Sequence, residues 1–198
     1  MRRVRSVVAI ILVLATMMSC VCCSSASEIG TLEDTFFDAL KTATGIDKAG
    51  SGYKTDCTFD GAQVACMVTV KDGNCVYTLI RYKNPEDAVE RFTEFFQSFE
   101  AVKDTKNFSG MNSDSIGKTS GTVIFNGMVM NNSYVSFADA GRRNFYSNTD
   151  IFGGVVSRNA FYMEAYSING NASDNLKIKR FLDDVKLKNE NKDSILSV

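Results

Sequence analysis

The chain has 198 residues, 44% of them hydrophobic, a formal net charge of −1 and no histidine. That length suits one domain large enough to bury a real core. The missing imidazole excludes Ser-His-Asp and Cys-His nucleophile systems and His-based zinc sites, and a near-neutral balance without a basic stripe excludes the phosphate-neutralising footprint of a nucleic-acid binder.

Residues 1–27 read as an export signal. Arg2, Arg3 and Arg5 form a basic n-region, and Val7 to Met18 form an apolar h-region. Its length falls in the usual range of about 7 to 15 residues, and a short region with Ser19, Cys20, Cys22 and Cys23 follows. The run Thr16-Met17-Met18-Ser19-Cys20 resembles the lipobox of bacterial lipoproteins, a likeness that covers the leader alone. It implies cleavage before Cys20 and lipidation of that thiol, with Cys22 and Cys23 as neighbouring alternatives, and attachment to the outer face of a bacterial cell membrane. Two or three acyl chains, at about 0.8 kcal/mol per buried CH₂, make a stable anchor. Two other fates stay open. Cleavage after Ala26 would release a secreted protein, whereas retention of the uncharged run Ser6 to Ser27 would give a single span, against which its Ser, Cys and Ala residues argue. Residues 1–19 hold three of the 22 basic residues and none of the 23 acids, so the chain from Cys20 carries 19 against 23, a net −4. The expected organisation is a signal peptide over 1–19, a tether over 20–30, a single globular α+β domain over 31–187 and a polar tail over 188–198.

In chain order, Thr31 is the expected cap of a helix presenting Leu32, Phe36, Phe37 and Leu40, ended by Gly45. Phe59-Asp60-Gly61-Ala62 reads as a turn. Strands Val64 to Val70 and Cys75 to Tyr82 flank Lys71-Asp72-Gly73-Asn74, and an Asp-Gly turn there pairs Val70 with Cys75, Val68 with Tyr77 and Cys66 with Leu79. Asn84 as N-cap, Pro85 at the first helical position and the acids Glu86 and Asp87 open a second helix with Val89, Phe92, Phe95, Phe96, Phe99 and Val102 on its inner face. Asn126-Gly127 signals another hairpin between Val123-Ile124-Phe125 and Met128-Val129-Met130. Further strands are expected at Tyr134 to Asp139, Ile151 to Val156 and Ala160 to Ser167. A third helix, beginning near Ser173, presents Leu176, Ile178, Phe181, Leu182 and Val185. The predicted fold class is α+β: an antiparallel sheet with about three helices packed on one face. Hairpin-then-helix order occurs twice, over Val64 to Phe99 and Phe152 to Val185, which reads either as two weakly related halves or as convergent patterning.

Outside the leader, Cys57, Cys66 and Cys75 allow one disulfide. A turn one residue longer than Asp60-Gly61 would join Cys57 to Cys66; three reduced buried thiols are the other reading. Gly117-Lys118-Thr119 ends like a P-loop, but Asn112 replaces its first glycine, so a surface loop is expected. Ser115-Ile116-Gly117-Lys118 and Ser173-Asp174-Asn175 resemble the S-x-x-K and S-D-N motifs of penicillin-binding proteins and β-lactamases; no K-T-G follows, and Gly110, Gly117 and Gly121 disfavour the helix that would set the lysine beside the serine. Ser173-Asp174-Asn175 reads better as a helix cap. Phe137, Arg142, Arg143 and Tyr146 form the candidate ligand-binding region, where rings and guanidiniums would meet an anionic or carbohydrate ligand, with core packing as the competing fate of the rings. The favoured function is an exported lipoprotein acting as a non-catalytic binding or assembly module. It would meet the membrane through its N-terminal lipid, with an envelope protein as a partner, no nucleic acid and no cofactor. The alternative is a secreted or envelope serine-lysine hydrolase using Ser115 and Lys118. A structural subunit of an envelope complex is a third.

Overall fold

The computed structural model describes residues 26–118, 120–131, 133–138, 144–145 and 148–185. The chain divides into two compact units, Met1–Thr31 and Leu32–Val198. Helix α1 covers Ala26–Thr44 and is followed by strands β1 (Lys54–Phe59), β2 (Ala62–Asp72) and β3 (Cys75–Tyr82). Helix α2 (Pro85–Lys103) leads to β4 (Phe108–Ile116), β5 (Ser120–Val129) and the short ribbon β6 (Tyr134–Val135) with β7 (Asn144–Phe145). Strands β8 (Thr149–Arg158) and β9 (Phe161–Ile168) precede helix α3 (Ala172–Asp184). Seven strands form one antiparallel sheet in the order β1-β2-β3-β9-β8-β5-β4. No described helix is long and apolar enough to cross a membrane.

The fold is α+β with an antiparallel sheet and three helices, but the helices cover both faces. The β3–β9 register sets Val76, Thr78 and Ile80 on one face with Tyr162, Glu164 and Tyr166, and Tyr77, Leu79 and Arg81 on the other with Phe161, Met163 and Ala165. Helix α2 covers the first face: Phe92, Phe95 and Phe99, spaced three and four apart, join Val76, Ile80, Val123, Phe125 and Tyr166 in one core. Helix α3 covers the second, with Phe181 5.1 Å from Tyr77, and α1 packs beside it through Phe36, 5.3 Å from Phe181. The cause lies in the central strands. Apart from Arg81 and Ile168, every residue of β3 and β9 is buried, so both of their faces need cover.

The same placement settles the repeat. A two-fold axis through the sheet between β3 and β9 would exchange these strands and leave each face in place, so related helices would share a face. Helices α2 and α3 lie on opposite faces; β2-β3-α2 and β8-β9-α3 are alike in order and pattern, not symmetric.

Local signals explain most boundaries. Asn84 is extended (φ −107°, ψ 128°) and Pro85 starts α2. Helix α3 starts on a capping box: Asn171 Oδ1 accepts from Ser173 N (2.8 Å) and Asp174 N (3.0 Å), while Asn171 N donates to Asp174 Oδ2 (3.2 Å). Helix α1 starts at Ala26, so Thr31 is an interior residue rather than a cap. The β2–β3 hairpin turns on Gly73-Asn74, which moves the register by two: Val70 pairs with Tyr77, Val68 with Leu79 and Cys66 with Arg81. Gly73, at φ 60°, supplies the positive angle at the first turn position, while Asp72 stays in the strand, held by Lys177 Nζ at 2.6 Å. A shift of two keeps every side chain on its face.

Asn126-Gly127 is not a turn but lies inside β5, and the hairpin turns instead after Ile116. Gly127 sits opposite Gly110, where a β-carbon would lie 2.5 Å from Ser109 O and 2.8 Å from Gly110 Cα. The glycine therefore serves close strand approach. Strand β6 covers only Tyr134–Val135 of the expected Tyr134 to Asp139. Gly127→Ala should cost about 1–3 kcal/mol in urea unfolding by forcing β4 from β5, whereas Gly50→Ala, at an exposed turn where a β-carbon meets nothing nearer than 3.5 Å, should be close to neutral; equal effects would contradict this pairing.

Candidate functional site

The densest buried polar cluster lies where residues 134–138 cross α2. Arg91 follows the apolar stripe of α2 and is only 7% exposed. Its Nη1 donates to Glu94 Oε2 at 2.6 Å, and its Nη2 donates to the Ser136 carbonyl and, at 3.1 Å, to Ser136 Oγ. Ser136 Oγ donates to Glu94 Oε1 (3.0 Å), and Ser136 N donates to Ser98 Oγ (2.7 Å). From the sheet, Glu164, 1% exposed, accepts Tyr162 OH at 2.8 Å and Ala138 N at 3.0 Å through Oε2. The Arg91 guanidinium stands 5.6 Å over the Tyr162 ring. Burial and the Glu164 charge push the Tyr162 hydroxyl well above its ordinary range. Burial works against the Arg91 charge, but Tyr162, Glu94 and Glu164 outweigh it and keep the guanidinium protonated. The assembly is a clasp in which a cation from α2 and a carboxylate from β9 both bind the backbone of residues 136–138.

Phe137 lies inside this clasp, and its expected role as a ligand contact is corrected. It is 1% exposed, stacked on Tyr166 at 3.9 Å and 5.5 Å from Phe95, so the ring belongs to the core. Arg142, Arg143 and Tyr146 lie outside the described residues.

A second cluster surrounds Glu33 of α1. Its Oε1 accepts Lys48 Nζ (2.7 Å) and Tyr53 OH (2.6 Å), and its Oε2 accepts Cys66 Sγ (3.4 Å) and lies 3.7 Å from Arg81 Nε. Lys48 Nζ also sits 4.2 Å over the Tyr53 ring. Burial alone would raise the Glu33 carboxyl, but the hydrogen bonds from Lys48, Tyr53 and Cys66 hold it below its ordinary value. Burial, reinforced by the Glu33 charge, pushes the Cys66 thiol up. Cys75 is pushed up to about 11 by burial and by Asp174. Both thiols are therefore poor nucleophiles at neutral pH.

Of the two readings of the cysteines, the Cys57–Cys66 bridge is absent: all three are free thiols, Cys66 and Cys75 buried and Cys57 half-buried. Asp60 (φ 50°) and Gly61 (φ 84°) make the two-residue turn, whose register leaves the two cysteines two positions out of alignment. Cys57 consequently faces Val64 while Cys66 faces Thr55. Ser115 lies in β4 opposite Thr122 and Lys118 in the following turn, so no helix sets the amine beside the hydroxyl. Gly117-Lys118 is the expected surface loop. Ser173, Asp174 and Asn175 form the first turn of α3, where Asn175 Oδ1 accepts Ser167 Oγ at 2.6 Å. Among the described residues no group of three or more Cys, Asp or Glu stands close enough to hold a metal ion.

No protein-family model, curated protein or solved structure matches the chain. Its chemistry has to be read from its own residues. Three of the most engaged, Arg91, Glu164 and Glu33, escaped the sequence reading. Glu164 carried a visible signal, a lone charge within the apolar run Phe161 to Tyr166, whereas Arg91 stands between Glu90 and Phe92 and carried none. Glu33, two residues after Thr31, carried no such signal.

Arg91→Met should remove the guanidinium donor from Glu94 Oε2 and the Ser136 carbonyl and cost about 2–3 kcal/mol in urea unfolding; a change under about 0.5 kcal/mol, the size of an ordinary surface substitution, would contradict the clasp. Because the Glu33 carboxyl is depressed, its stabilisation is complete above its unfolded value of 4.5 and is lost as pH falls below it. Glu33→Gln should lower the thermal midpoint at pH 7 and flatten its decline below pH 4.5. A parallel decline in both proteins would contradict this role.

Proposed function

We propose that the protein is an exported lipoprotein, anchored through Cys20 on the outer face of a bacterial cell membrane, whose folded part serves as a non-catalytic binding or assembly module. The observation that carries this reading is the leader: three arginines, the apolar run Val7 to Met18, and a cysteine directly after Ser19. Lipidation of Cys20 would hold the chain at the bilayer far more firmly than a single acyl chain does.

An assembly role draws support from the unequal edges of the sheet. Among the described residues no strand lies beyond β4 in the sheet, and β4 carries Met111 and Ile116 exposed to solvent. Buried charge, by contrast, is spent on closing the fold: Arg91, Glu94 and Glu164 hold residues 136–138, and Glu33 ties Lys48, Tyr53 and Cys66 together.

The test is the intact mass of the membrane-extracted protein beside its Cys20→Ala variant. The expected species begins at Cys20, carries a diacylglyceryl group and partitions with detergent, and the variant lacks that species. A lipid-free chain beginning at Ser27, or an intact Met1 to Val198 chain, would overturn the anchor.

A further inference from the structure

The seven-stranded sheet ends in β1 on one side and β4 on the other, and the two ends are built differently. Folded proteins shield sheet edges with charge, irregular backbone and short strands, because an open ladder invites another strand. Strand β1 follows that practice. It is six residues long, starts with Lys54, and has Asp56 at φ 46°, where the extended ladder is interrupted, with Lys83 Nζ 2.9 Å from the Asp56 carboxylate. Strand β4 follows none of it. Its nine residues, Phe-Ser-Gly-Met-Asn-Ser-Asp-Ser-Ile, include no proline and no lysine, and none has positive φ. Its one charge, Asp114, is already held by Lys103 Nζ at 2.7 Å. Of the three large apolar side chains exposed among the described residues, Met111 (43%), Ile116 (51%) and Leu176, two stand on this strand.

We infer that β4 pairs antiparallel with β4 of a second copy, joining two seven-stranded sheets into one. The strand's own sequence argues for this occupant. A two-fold axis at Asn112 sets Phe108 opposite Ile116 of the second copy, Gly110 opposite Asp114, Met111 opposite Ser113 and Ser109 opposite Ser115. Ile116 then gains an aromatic neighbour, and Met111 leaves water on the opposite face. Each Asp114 meets a residue without a side chain rather than a like charge, and Lys103 stays beside it. Two-fold pairing keeps each α2 on its own face. Helix α2 spans the sheet from β3 to β4, so its centre lies near β8, about two and a half strand spacings of ~4.8 Å from the axis. The midpoints of the two α2 helices thus stand roughly 24 Å apart, against the 8–10 Å at which helices touch, and they approach nearest at the C-terminal ends, where each Lys103 holds its own Asp114. An edge of nine residues buries less than the roughly 1,200 Å² of a standard interface, so the pairing is in the weak, concentration-dependent class.

This inference deepens the assembly reading and is independent of the lipid anchor. The test uses the full chain in detergent, with Asn112→Cys placing a thiol on the axis and Thr58→Cys placing one on the β1 edge, opposite Gln63 and so without a thiol of its own chain across from it. Mild oxidation should convert Asn112→Cys to a disulfide-linked species of twice the chain mass, above the wild-type level, and leave Thr58→Cys at that level. Sedimentation of the wild type should show a monomer–dimer equilibrium across a concentration series. Met111→Lys, at a side chain already facing solvent, should abolish both the dimer and the Asn112→Cys cross-link while leaving the circular dichroism unchanged. A monomer at every concentration with no cross-link at residue 112 would overturn the inference. So would equal cross-linking at residues 112 and 58, or a β4 occupied by another protein.

Discussion

Strands β3 and β9 lie side by side at the centre of the sheet, and burial of both their faces is the constraint from which the architecture follows. An antiparallel sheet commonly leaves one face to water, but here Tyr77 and Leu79 on one side of β3 are as dry as Val76 and Ile80 on the other. Burying each such side chain contributes roughly 1.5–3 kcal/mol. Covering only one face would forfeit half of that contribution. The chain therefore sends α2, with its phenylalanines, to one side and α3 with α1 to the other.

Polar groups buried by this arrangement become fastenings. Glu164 on β9 cannot reach solvent from beneath residues 136–138, so it binds the Ala138 amide and the Tyr162 hydroxyl. Arg91 does the same from the helix side, taking the Ser136 carbonyl and Glu94. A buried charge without a partner would cost several kcal/mol, and here charges on two different elements grip one short segment. Away from the centre the cover thins. In β5 Val123, Ile124 and Phe125 are buried while Thr122 and Asn126 are partly open, and β4 is mostly exposed. The fold is thus most closed along β3 and β9 and most open along one edge.

Much of this was legible in the sequence where local chemistry decides. Asn84-Pro85 with Glu86 and Asp87 marked the start of α2, Cys75 to Tyr82 appeared as a strand with the observed bounds, and Ser173-Asp174-Asn175 fell in the first turn of α3. Misreadings arose where distant residues decide. Asp72-Gly73 and Asn126-Gly127 carry the same turn chemistry, yet Lys177 keeps Asp72 in its strand, and Gly127 meets Gly110 across a closely approached pair. Which face a helix covers is equally invisible to periodicity, since an apolar stripe says that a helix is covered but not by which side of a sheet. For Phe137 core packing was one of two readings, and the partners that decide it, Tyr166 and Phe95, come from elements far away in sequence.

Native-state hydrogen exchange, residue by residue, tests the doubly covered centre most directly. Amides of β3 and β9 should exchange only with global unfolding, at one shared free energy, while those of β4 exchange by local opening at a lower one. Exchange of β9 well before β3, or of either strand by local opening while β4 stays protected, would contradict a fold organised around that pair.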